Sequence, residues 1–154
     1  FILCALLLFY FGITFRISVI PDNYVMLHPF VLPGQYWVYT RSSSLFQSLH
    51  PGDIVIFNSP ECDSGERRHV SILIGTPGQR VEYVPEKEGF RIDGFRFLGN
   101  YNLSQQWKDS SGEVIELGED EYFLIDNNVL CGGRKSWIVP EERIIGKFIF
   151  QLPF

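Results

Sequence analysis

Residues 51–85 read PGDIVIFNSPECDSGERRHVSILIGTPGQRVEYVP, and this stretch decides the fold. It holds three short apolar runs, 53–58, 69–75 and 80–85, each rich in Val, Ile, Tyr and Phe. Pro51-Gly52 opens the first run, and Pro77-Gly78 separates the second from the third. β-Branched and aromatic runs of this length, bounded by Pro-Gly turns, are the signature of strands. Working outward, further strands are expected at 35–40, 122–126 and 144–151, with a matching turn at Pro33-Gly34. No stretch beyond Pro21 sustains a helical apolar period. The expectation is one mainly β domain, an antiparallel sheet or barrel spanning 21–154, with a single hydrophobic core. The polar section 99–121 reads as an insertion or long hairpin, and its Glu113-to-Glu121 run, EVIELGEDE, as a solvated hairpin.

The front of the chain is different in kind. Residues 1–15, FILCALLLFYFGITF, carry no charge, and Arg16 is the first charged residue. Fifteen helical residues span about 22 Å, whereas extension through Ile17 to Ile20 approaches the roughly 30 Å of a bilayer core. Residues 1–20 are therefore expected to form one transmembrane helix, with Arg16 snorkelling toward headgroups. The chain opens at Phe1, so this anchor is expected to be N-terminally incomplete. Tyr36, Trp37 and Tyr39 follow closely enough to lie in an interfacial aromatic belt, or to divide between core and surface.

Composition narrows the partners. The 154 residues are 45% hydrophobic and 20% charged, with a net charge of −5, so neither disorder nor phosphate-driven nucleic-acid binding fits. No phosphate-cradling glycine motif and no Cys/His metal spacing occur, so no cofactor and no metal are expected. Of the three cysteines, Cys4 sits in the apolar segment, while Cys62 and Cys131 are either a disulfide or free thiols.

Five motifs in order resemble the type I signal peptidase family. Pro29-Phe-Val-Leu-Pro-Gly34-Gln-Tyr-Trp-Val-Tyr39 is similar to its P-T-L-x-x-G-D-x-V-x-V stretch. Pro51-Gly-Asp-Ile-Val-Ile-Phe57 resembles the G-D-I-V-x-F strand, and Ile72-Leu-Ile-Gly-Thr-Pro-Gly78 the run after the catalytic lysine. Tyr122-Phe-Leu-Ile-Asp-Asn127 resembles Y-F-x-x-G-D-N. Trp137-Ile-Val-Pro140 through Ile145-Gly-Lys147 resembles the closing W-G-x-V-P…G-K. The Pro33-to-Tyr36 segment also resembles the branch that matures conjugation pilins.

The resemblance implies a Ser nucleophile activated by a neutral, buried Lys. Matched by spacing, the nucleophile position holds Met26, or Phe30 in the conjugation-type spacing, and the base position holds Ser71. Neither a thioether nor a phenyl ring attacks a carbonyl, and a Ser hydroxyl has no useful basicity near neutral pH. The third box departs as well: Cys131 stands at its supporting Ser, Gly133 at its Asp, and Lys135 at its Arg. The resemblance thus implies a catalytically inactive relative, with Met26, His28, Pro29, Ser71 and Cys131 lining the former groove. Such a domain is expected to act as an accessory or assembly subunit of a membrane protein complex, binding other subunits or an extended polypeptide segment. Its place is then the inner membrane of a bacterium or a mitochondrion, with the globular part on the non-cytoplasmic side. The competing reading is an active membrane-bound serine endopeptidase that cleaves signal or leader peptides through unusual residues. Microsomal relatives use His as base, and His69 lies two residues before Ser71, on the same face of a strand, with Asp126 to orient an imidazole.

Overall fold

The structure is a computed structural model and describes residues 2–19, 34–40, 49–59, 67–87, 89–99, 113–125 and 138–152. Two antiparallel sheets make up the body. The larger has the strand order β1 (Phe15–Val19), β2 (Tyr36–Thr40), β11 (Ile144–Gln151), β3 (Ile54–Ser59), β4 (Arg67–Gly75), β9 (Glu121–Ile125) and β10 (Ile138–Pro140). The smaller runs β7 (Arg96–Gly99), β6 (Gly89–Ile92), β5 (Arg80–Val84) and β8 (Val114–Glu116). Among the described strands neither sheet closes on itself, so the expected antiparallel β fold takes the form of two sheets rather than a barrel.

Alternation along the central strands sorts the core into two clusters. On β4, Val70, Ile72 and Ile74 join Ile56 of β3, Phe123 and Ile125 of β9, and Val81, Tyr83, Phe90 and Ile92 of the small sheet. This cluster draws on both sheets and is the layer between them. Val55 and Phe57, Leu73, and Tyr122 and Leu124 point the other way and pack with Leu49, Val139 and Ile144. The single core expected from the sequence is therefore two, one on each face of the large sheet. A strand buried on both faces needs apolar residues at every position, which is why β4 reads as VSILIG without alternation.

The strand expectations at 35–40, 53–58, 69–75, 80–85 and 144–151 match β2, β3, β4, β5 and β11 to within two residues. The 122–126 strand is β9, with Asp126 outside the described residues. Six elements differ from the reading. The helix α1 (Ile2–Thr14) stops at Thr14, and Phe15–Val19, expected to prolong it, pairs as β1 with β2 in the register Ile17↔Val38. The β-branched side chains of Ile17 and Val19 favour the strand, and Arg16 donates a hydrogen bond back to the Gly12 carbonyl, which closes the helix. The described end of the 99–121 section is largely exposed, as expected, but forms no hairpin with β9: β8 pairs with β5, and Leu117 is buried in the layer between the sheets. Residues 100–112 lie outside the described residues. β6, β7 and β10 were not expected at all. Of the aromatic trio, Trp37 and Tyr39 are buried and Tyr36 is exposed.

β11 is central to the large sheet, paired with β2 on one side and β3 on the other. Its ladder shifts twice, between Ile144 and Gly146 and between Phe148 and Phe150, as a bulged and strongly twisted strand does. Gly146 permits the crossing: a Cβ there would lie 2.2 Å from the Thr40 carbonyl oxygen and 2.7 Å from the Tyr39 ring.

Candidate functional site

The Pro51-Gly52 turn delivers β3 beside β4, since Gly52 N–H donates to Leu73 O and Leu73 N–H to Asp53 O, both at 2.7 Å. The ladder then sets Val55 opposite Ser71 and Phe57 opposite His69. On the other flank, Ile72 of β4 faces Ile125 of β9. Ser71 thus occupies the middle of three paired strands, on the face shared by Val55, Phe57 and Leu73.

Ser71 is fully buried, and its hydroxyl donates to the Ile125 carbonyl oxygen. A hydroxyl so committed fastens β4 to β9. It does not have its proton aimed at an imidazole, as a Ser–His nucleophile requires. His69 is also buried, and its ring lies 5.6 Å from that of Phe57 at an interplanar angle of 33°. Strand periodicity puts His69 and Ser71 on one face, as expected, and the Ser71 hydroxyl goes to the backbone carbonyl.

The remaining positions of the expected groove, Met26, His28, Pro29 and Cys131, lie outside the described residues. So do Phe30, Asp126, Gly133, Lys135 and the pair Cys62 and Cys131. Cys4 is a free, exposed thiol on α1. Among the described residues, no group of three or more His, Cys, Asp or Glu side chains is placed to hold a metal ion.

Two polar features of the described residues escaped the sequence reading. Asp53 accepts from Lys147 Nζ at 2.7 Å and from the His50 N–H at 2.8 Å. The pair joins the second family-like motif to the last one, across β3 and β11. Its signal was available, as both residues sit inside quoted motifs, but only the ladder reveals that they are neighbours. Tyr122 is the other: burial first, then the nearby Glu141 carboxylate, raises its phenol above the usual 10.0.

A two-sheet antiparallel β architecture with the Pro-Gly-Asp strand, the Ser71 strand and the Glu121–Ile125 strand side by side defines a class before it defines a family. The family model described as "Signal peptidase, peptidase S26" matches residues 1–152. The chain belongs to the S26 signal peptidase family, a family of serine endopeptidases. Among solved structures, a signal peptidase I from Enterococcus faecalis V583 is similar, with 21% identity and a TM-score of 0.47 over 66% of this chain and 97% of that one. No curated protein matches the chain.

Proposed function

We propose that this chain is a signal-peptidase-family protein that does not cleave peptides and serves as an accessory or assembly subunit of a membrane protein complex. The observation that carries the reading is Ser71. Where the resemblance calls for a lysine base, a fully buried hydroxyl donates its proton to a backbone carbonyl. A serine so placed supplies neither the nucleophile nor the base, and Met26 stands at the matching nucleophile position. A domain of this kind retains its sheet edges and groove for binding an extended polypeptide or neighbouring subunits.

The membrane half of the proposal rests on α1. Ile2, Leu3, Leu6, Phe9 and Tyr10 are all well exposed on a helix with no charged residue, a surface suited to an apolar medium. Thirteen residues give about 20 Å of helix, and no described helix is long and apolar enough to cross a membrane. Members of the family are membrane-associated. We place α1 in the inner membrane of a bacterium or mitochondrion, as part of a single-pass anchor, with the sheets on the non-cytoplasmic side.

The test is a cleavage assay. The detergent-solubilised protein is incubated with a signal-peptide substrate, beside a variant carrying Met26→Ser and Ser71→Lys. The unmodified chain is expected to leave the substrate intact, and cleavage gained only by the double variant supports the reading. Robust cleavage by the unmodified chain overturns it and establishes the active endopeptidase instead.

A further inference from the structure

The exposed apolar side chains of the described residues gather at one end of the molecule. Apart from Phe95 and Val114, every large one lies on α1, β1, β2 or β11. The three strands are neighbours at one edge of the large sheet, in the order β1-β2-β11. Ile17 pairs with Val38, and Val38 with Phe150, so these form one row across the strands. Val19 and Tyr36 pair in a second row, two residues along, and share the same face. Val38 is buried, whereas Ile17 is 63% exposed and Val19, Tyr36 and Phe150 are half-exposed.

This is the face that carries Ser71. Lys147 pairs with Thr40 on one side and Val55 on the other, which puts Val38 and Val55 on one face, away from the layer between the sheets. Toward β4 that face is covered and forms the second core; toward β1 it is open. The row beyond Val38 holds Thr40 and Lys147, and Lys147 is paired with Asp53 at 2.7 Å. What covers the open part follows from how α1 joins it. Thr14 ends the helix and Phe15 opens the strand, with no residue between them. Arg16 donates to the Gly12 carbonyl across that junction, and all five residues of β1 pair with β2. The helix therefore meets the sheet edge without a linker.

Ile2, Leu3, Leu6, Phe9 and Tyr10 are exposed on α1, a helix with no charged residue. The apolar medium that receives α1 ends where β1 begins, and the open face begins there too. Tyr36 is of the type that concentrates at a membrane–water boundary, with its ring in the apolar phase and its hydroxyl in water. We propose that the open face of β1, β2 and β11 is seated on the lipid bilayer, with Ile17, Val19, Tyr36 and Phe150 in the headgroup layer beside the emerging helix. The molecule then holds the membrane twice, by a helix within it and by a sheet face upon it. A soluble protein partner is the weaker match, because it would have to cover the strands and stop short at α1. The seat rests on α1 being the anchor proposed above, and it is independent of whether the chain cleaves peptides.

The experiment reconstitutes the full chain in vesicles of phosphatidylcholine and phosphatidylglycerol, with the fluorescent amino acid acridonylalanine at position 6, 17, 95 or 150, one at a time. Fluorescence is compared between plain vesicles and vesicles whose phosphatidylcholine carries a nitroxide, either high or deep on the acyl chain. Phe95 is exposed outside the two sheets' shared layer and serves as the control. About two-fold or greater quenching is expected at 17 and 150 from the high nitroxide and at 6 from the deep one, with none at 95. Quenching at 6 without quenching at 150 overturns the seat and leaves the anchor standing. Quenching at 17 and 150 without quenching at 6 keeps the seat and overturns the anchor. No quenching at 6, 17 or 150 overturns both, and equal quenching at 95 and 150 marks an unfolded chain on the lipid and overturns the seat.

Discussion

Ser71 has the smallest side chain on its face of β4 and the only hydroxyl, which donates a hydrogen bond to the Ile125 carbonyl oxygen beside Val55, Phe57 and Leu73. The expectation that Ser71 matches the family's base position comes from spacing alone. Where the hydroxyl points was not legible, because the acceptor lies 54 residues away and belongs to another strand. Tyr122 makes a second point at this scale. Burial and Glu141 hold its phenol protonated beyond the usual 10.0, so the folded state binds that proton more tightly than the unfolded one. The stability it contributes is complete below that value and is lost as pH rises through the folded value. Tyr122→Phe is accordingly expected to flatten the fall in stability above about pH 10, read from denaturant midpoints across the alkaline range.

Among the elements, β3 and β11 share only a broken ladder, with a register shift between Ile144 and Gly146. The Asp53–Lys147 pair sits where the ladder resumes, opposite Val55, with both side chains about four-fifths buried. Asp53→Asn keeps an acceptor for the His50 N–H and removes the charge attraction, so it is expected to cost about 1–2 kcal/mol in denaturant unfolding. A double-mutant cycle with Lys147→Met is expected to return about 1 kcal/mol of coupling, and additive effects would show that the contact contributes nothing. The strands that sequence reading found are those with three or more Val, Ile, Leu or aromatic residues close to Pro or Gly turns, such as IVIFNS and RVEYV. GFRI and RFLG each carry an arginine within four residues, and VIE and IVP span only three, too short for any period to register. FRISV was hidden differently: it follows an apolar helix without a break, and only pairing with β2 separates strand from helix there.

For the molecule as a whole, the layer between the sheets is where the two halves meet. Phe90 of the small sheet and Phe123 of the large one are both fully buried, edge to face with ring centroids 5.5 Å apart. Phe90→Ala is expected to destabilise by about 3–5 kcal/mol, and both sheets are expected to unfold in one transition by near-ultraviolet and far-ultraviolet dichroism. A small sheet that melts first would show that it is held more weakly than this packing implies. Fold class and family were legible because the motifs follow one another in order along the chain. The second core was not, since both faces of a doubly buried strand look alike in one dimension.

The position of β11 bears on how the protein is made. It is the latest described strand in chain order, yet it lies between β2 and β3 and joins them. Until Ile144–Gln151 has been synthesised, the β1–β2 hairpin has no partner linking it to the β3–β4 pair, and their inward edges stay open. The large sheet is thus completed only after every other described strand has been synthesised, with the apolar helix α1 made before them all. A nascent chain of this design relies on whatever shields α1 and those open edges during translation, and a stop codon before Ile144 would leave the sheet in two unjoined parts.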